Sequence, residues 1–162
     1  RLDEQTAHRH KNARLLDRLL VEIQGITPQR LAPPCTRNGQ YAYIFHVDRK
    51  AFGGISTETF IAAMNAEGIP NQASYPPLHD LEVFKTGEYR KKLTGRQAEE
   101  SHPFLKADFP QTHRAAWETV WIPQTALLGD DEDMHEIATA LKKIQNHARE
   151  LVTSAVEVRE TA

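Results

Sequence analysis

Between Tyr41 and Val47 the chain alternates, with Tyr41, Tyr43, Phe45 and Val47 on one side and Ala42, Ile44 and His46 on the other. A period of two with large apolar residues on one side is a half-buried strand, and it obliges the rest of the chain to supply a layer against that side. The next segment narrows the fold further. Ser56 stands before Phe60, Ile61, Ala63 and Met64, apolar residues at helical spacing, and Gly68 with Pro70 ends the run. A capped helix over 57–67 is expected. The chain then extends from Asn71 to Tyr75 until Pro76-Pro77 stop it just before Leu78-His79. The unit reads strand, helix, strand, and a proline-fixed loop carrying a histidine. Gly53-Gly54 is too short to cradle a phosphate and reads as the turn into the helix.

Upstream, Ala13, Leu16, Leu19, Leu20 and Ile23 define one face of a helix over 2–24 that Gly25 closes. Its first turns offer only Leu2 and Ala7, a polar rod with nothing obvious in this chain to pack against, as in a connector or a helix resting on a partner that has been removed. His8 and His10 point about 200° apart on a helix, cannot share a metal, and are expected in solvent. Residues 26–40 read as a loop or edge strand, and Asn38-Gly39 suggests a hairpin leading into 41–47.

Downstream of His79 the pattern fails from 80 to 108. Leu81, Val83 and Phe84 anchor one turn at most, and the remainder reads as a long surface excursion. Within it Arg90-Lys91-Lys92 is a solvated face before it is an anion site. Pro110 opens a short helix with His113, Ala116, Trp117 and Val120 spaced for one buried face, and Val120–Pro123 reads as a short strand. Trp117 and Trp121 are expected in a core or domain interface. Met134, Ile137, Ala138, Leu141, Ile144, Ala148, Leu151 and Val152 form the stripe of an amphipathic helix over 132–152, beyond which 153–162 should fray. Asp130 to Asp133 read as its cap, since a calcium loop would need a glycine-bearing repeat that is missing here.

The expected fold class is α+β, an α/β two-layer arrangement in which a small, mostly antiparallel sheet is covered on one face by helices. The other face would await a further domain. The chain has 162 residues, 40% of them hydrophobic, enough for one core. A net charge of -2, with Lys and Arg scattered among acids, offers no footprint for nucleic acid. No run approaches the ~18 apolar residues of a membrane helix. Cys35 is the single cysteine, so no disulfide forms within the chain, which fits a cytoplasmic setting. There is no Gly-x-Ser-x-Gly, Walker loop or nucleophile–base pair. On residue chemistry alone the chain is a binding or structural domain, and His46 is a rim histidine first and a ligand-facing one second.

The pieces Phe-x-Gly-x-Ser-x-x-x-Phe at 52–60, Ala-Glu-Gly-Ile-Pro at 66–70 and Tyr-Pro-Pro-Leu-His at 75–79 together resemble one known family. So do Arg1-Leu2-Asp3-Glu4 through Arg9-His10-Lys11-Asn12-Ala13 before them, and Trp121-Ile122-Pro123 with Leu127-Leu128-Gly129 after them. The family is the DegT/DnrJ/StrS-type aminotransferases, and the matching part is their small C-terminal domain. The resemblance implies a fold-type-I, pyridoxal-phosphate enzyme that moves an amino group from glutamate or glutamine to a keto-sugar or keto-cyclitol, as a homodimer. It also implies that residues 1–25 connect to an upstream cofactor domain and that 26–162 form the small domain. None of the lysines stands in a context like the family's Schiff-base lysine, so the cofactor is expected to bind the missing upstream domain, with no catalytic, cofactor-binding or metal residue in this chain. On the substrate side, Tyr75 and His79 match the segment facing the sugar, and His46 completes the candidate substrate-binding set. The rival expectation is a non-catalytic ligand-binding or oligomerisation module. The start without methionine, inside a helix, favours truncation over that rival.

Overall fold

The computed structural model describes residues 1–86, 88–95 and 108–160. In chain order the elements are α1 (Leu2–Leu20), β1 (Ile26–Pro28), β2 (Ala42–Val47), α2 (Thr57–Ala66), β3 (Gln72–Ala73), α3 (Glu82–Lys85), α4 (Glu88–Thr94), α5 (Pro110–Glu118), β4 (Thr119–Pro123), α6 (Asp131–Asn146) and α7 (Ala148–Glu160). They fall into two compact units, Arg1–Ala73 with Glu118–Ala162, and Ser74–Trp117.

The first unit is built on an antiparallel sheet in the order β1-β2-β4-β3. The alternation in β2 sets its faces. Tyr43 pairs with Ile122 and Phe45 with Val120, and these four with Val47 form the buried face. Ala42, Ile44, His46 and Trp121 lie on the other, half-exposed face. Helices α1, α2 and α6 supply the second layer: Leu16 and Leu20, Phe60 and Met64, and Met134, Ile137, Leu141 and Ile144 join the sheet residues in one core. Phe52 and Phe60 meet edge-on with ring centroids 5.5 Å apart, the favoured aromatic geometry. The α+β two-layer reading holds.

Local signals are met at both ends of α2. Gly53 and Gly54 turn the chain with φ of 64° and 83°, and Ser56 Oγ accepts the Thr59 N–H at 3.1 Å. The antiparallel β1–β2 pair exists, but residues 29–41 connect it instead of a two-residue hairpin. Asn38 Oδ1 accepts the Gln40 N–H at 3.0 Å, so the asparagine closes a turn of its own within that loop. Cys35 is exposed there.

The first half of α1 differs from expectation. Its polar face is buried within the chain, with Thr6, Arg9 and Asn12 at 6%, 6% and 0% exposure. Asn12 Nδ2 donates to Leu127 O at 3.0 Å and Gly129 O at 2.8 Å. His8 Nε2 also meets Gly129 O at 2.7 Å, and His10 Nε2 meets Asn38 O. Neither histidine is a solvated side chain. Hydrogen bonds to loop carbonyls replace the apolar stripe, which a hydrophobicity pattern cannot register.

Asp130 and Asp133 form a capping box at the start of α6: Asp130 Oδ1 accepts the Asp133 N–H at 3.1 Å, and Asp133 Oδ2 accepts the Asp130 N–H at 2.7 Å. Gly129 has to be glycine for this cap, because a Cβ there would fall 2.0 Å from Asp133 Oδ2 and 2.8 Å from its Cγ. Gly129→Ala is expected to cost about 0.5–2 kcal/mol, the worth of a cap, and to add little in an Asp133→Ala background. A double-mutant cycle by urea denaturation checks this, and full additivity would contradict it. The last helix does not run unbroken over 132–152. It ends at Asn146, breaks at His147 and resumes as α7, which continues to Glu160 where fraying was expected.

Tyr43 carries the clearest titration signature. Its hydroxyl donates to Asp17 Oδ1 at 2.8 Å, and burial, reinforced by the Asp17 charge and this bond, holds its pKa well above the usual tyrosine range. The unfolded chain ionises this group near pH 10, while the fold resists doing so. Its contribution is therefore complete below about pH 10 and is lost as pH rises further, by about 1.4 kcal/mol per pH unit. Melting curves should show that alkaline fall flattened in Tyr43→Phe. An equal fall in both proteins would contradict it.

In the second unit, the turn expected around Leu81, Val83 and Phe84 forms as α3, and the surface excursion expected after it carries a further helix, α4. Phe84 and Tyr89 meet with ring centroids 5.1 Å apart. Lys91 and Lys92 lie exposed on α4, while residue 87 and residues 96–107 of that stretch lie outside the described residues. Ala116 of α5 is buried, but Trp117 is 51% exposed, not a core residue. Among the described residues no helix is long and apolar enough to cross a membrane.

Candidate functional site

The proline loop forms as its sequence requires. Pro77 is buried and Tyr75 exposed, and the Asp80 N–H donates to Pro77 O at 2.9 Å, winding Leu78–Asp80 into a single 3-10 turn. Two prolines fix the backbone that leads into that turn. Its ring lies 4.9 Å from the Phe109 ring and 5.0 Å, edge-on, from His113 on α5. The Nε2 atoms of the two histidines are 3.2 Å apart. Asp80 lies between partners, with Oδ2 3.9 Å from His113 Nδ1 and Oδ1 3.8 Å from Lys85 Nζ. Beside this cluster is an apolar concavity of about 410 Å³ lined by Leu78, His79, Phe84, Phe109 and Thr112. An imidazole held by prolines at the edge of an apolar hollow can orient a polar group on a ring-shaped ligand.

His46 belongs to the first unit, on the half-exposed face of the sheet. Its Nε2 is 2.5 Å from Glu118 Oε2, with both side chains 27% exposed. Register explains the pairing: Thr119 of β4 lies opposite His46, which brings the preceding residue within reach. His79 and Tyr75 share the second unit, and His46 lies in the first. Sequence reasoning missed His113 and Glu118 as partners. They are 34 and 72 residues from His79 and His46, and nothing in a single sequence links positions so far apart.

Solved structures share this arrangement of a short antiparallel sheet layered with helices. The chain resembles 3-amino-5-hydroxybenzoic acid synthase with a TM-score of 0.66 and 25% identity over 89% of this chain and 35% of that one. It shares the fold of DesI, solved with its TDP-sugar product, with a TM-score of 0.69 and 22% identity over 93% and 33% of the two chains. The chain belongs to the DegT/DnrJ/EryC1/StrS aminotransferase family, whose model matches residues 1–142. Among curated relatives, L-glutamine:2-deoxy-scyllo-inosose aminotransferase of Streptoalloteichus tenebrarius is 36% identical over 93% of this chain. A putative L-glutamine:3-amino-2,3-dideoxy-scyllo-inosose aminotransferase of Streptomyces kanamyceticus is 33% identical over 92%. The chain spans about a third of the length of these relatives, 35% and 36%.

Proposed function

We propose that this chain is the small, substrate-side part of a pyridoxal-phosphate aminotransferase that passes an amino group from glutamine to a keto-cyclitol, or to a keto-sugar of similar ring shape. Residues 1–25 connect it to the cofactor domain, residues 26–162 are the small domain, and the whole enzyme is a cytoplasmic homodimer. The observation that carries this reading is the family match over residues 1–142 together with 36% identity to a cyclitol aminotransferase.

The lysines support placing the cofactor elsewhere. Pyridoxal phosphate needs a lysine amine in a desolvated pocket. Among the described residues Lys11, Lys50, Lys85, Lys91, Lys92, Lys142 and Lys143 are all exposed. Lys11, Lys85 and Lys143 moreover face Asp131, Asp80 and Glu67. These residues do not fit the group, and Lys106 lies outside the described residues; the share of the reaction assigned here to this chain is to bind and orient. His79 presents a ring nitrogen to a substrate hydroxyl or carbonyl, and the concavity beside it takes an apolar ring face. Tyr75, exposed on the same loop, adds a hydroxyl at the rim. His46 is a third substrate-side candidate, with Nε2 already engaged by Glu118.

Incubating the whole protein with L-glutamine and 2-deoxy-scyllo-inosose should yield an aminocyclitol detectable by mass spectrometry, whereas residues 1–162 alone should yield none. Failure of the whole protein to aminate either a keto-cyclitol or a nucleotide-linked keto-sugar would refute the reading.

A further inference from the structure

The gap between His79 and His113 poses a chemical question that substrate orientation leaves open. Two neutral imidazoles whose Nε2 atoms face each other at 3.2 Å repel unless something positive lies between two lone pairs. Asp80 Oδ2 lies 3.9 Å from Nδ1 of His113, and in the tautomer that carries its proton on Nδ1 the His113 Nε2 lone pair is directed at His79. The gap can then hold a proton on His79 Nε2, or a cation shared by both rings. Its width admits either, since 3.2 Å is also the length of an N–H···N hydrogen bond between the rings. Zinc–nitrogen bonds of about 2.0–2.1 Å at a tetrahedral angle place two ligand nitrogens roughly 3.3 Å apart.

We propose that His79 and His113 form a binding site for a divalent late-transition-metal ion of the zinc class, each ligating through Nε2. Imidazole suits such ions better than it suits calcium or magnesium. Asp80 Oδ2, 3.9 Å from His113 Nδ1 and so beyond hydrogen-bond distance, supplies a negative charge beside the site that offsets part of the ion's. Ligand-capable atoms of all three residues lie within 4.8 Å of one another. Lys85 draws on the far oxygen, Oδ1, so the carboxylate's charge is divided between the lysine and the site. The hollow lined by Leu78, Phe84 and Thr112 leaves room for water to complete the coordination. The inference goes beyond the aminotransferase reading and does not rest on it. A metal ion and a substrate hydrogen bond would exclude each other at His79 Nε2.

The test is calorimetric titration of zinc chloride into the tag-free, metal-free 162-residue chain near neutral pH, with circular dichroism on every variant. One ion should bind per chain. Affinity should fall at least tenfold in His79→Ala and in His113→Ala, fall also in Asp80→Asn, and stay unchanged in His147→Ala, a control on an exposed histidine paired with Glu150. Should an alanine variant lose its dichroism, His79→Gln and His113→Gln decide in its place. The proposal is overturned if the native chain binds no zinc, or if the affinity falls less than tenfold on substitution of either His79 or His113.

Discussion

Leu141→Ala is expected to lower the free energy of unfolding by about 2–5 kcal/mol, the range for emptying a leucine site in a packed core. Leu141 has 0% exposure midway along α6 and belongs to the core cluster that also holds Leu16, Phe45, Phe60 and Met134. That cluster draws on α1, β2 and α2 as well as α6, so the cavity cannot close by shifting one of them. A domain of this size has a net stability on the order of 5–15 kcal/mol, and the substitution removes a large fraction of it. Glu150→Ala, on an exposed side chain paired with His147, should change stability by no more than about 0.5 kcal/mol. Urea denaturation of both variants checks the account. A shift for Leu141→Ala no larger than that for Glu150→Ala would show that the α6 stripe is not part of the core.

The second large effect concerns catalysis in the whole protein. His79→Ala should lower kcat/KM for the keto substrate by the equivalent of about 1.5–3 kcal/mol if a charged group takes part in the lost hydrogen bond. The donor half-reaction with glutamine should change less, because the proposed role of His79 is to hold the keto ring. Stopped-flow measurement of the two half-reactions separates these outcomes. Equal losses in both, or no loss in either, would contradict a substrate-side role.

Much of the fold was legible because each element announces itself locally. The alternation at 41–47, the Ser56 cap and the Asp130–Asp133 capping box all act within a few residues, where one sequence carries the whole signal. The unpredicted features depend on distant partners. The polar face of α1 is buried because Asn12 and His8 reach carbonyls of residues 127 and 129, and a polar helix face with such partners looks the same in sequence as one in water. Likewise α4 was hidden because a short, charged helix is stabilised by contacts, here Tyr89 on Phe84, more than by periodicity. Of the candidate site, the Pro-Pro-Leu-His loop could be read directly. Its pairing with His113, and that of His46 with Glu118, required the backbone to bring remote segments together.

The central claim is that this chain belongs to an aminotransferase yet does not itself hold the cofactor, and covalent labelling tests it most directly. Residues 1–162 are mixed with pyridoxal phosphate, reduced with borohydride, digested and mapped by mass spectrometry. The account predicts at most sparse labelling spread over exposed lysines such as Lys50, Lys91 and Lys142, with no site modified in full. Stoichiometric modification of one lysine, accompanied by turnover of glutamine and a keto-cyclitol, would contradict it.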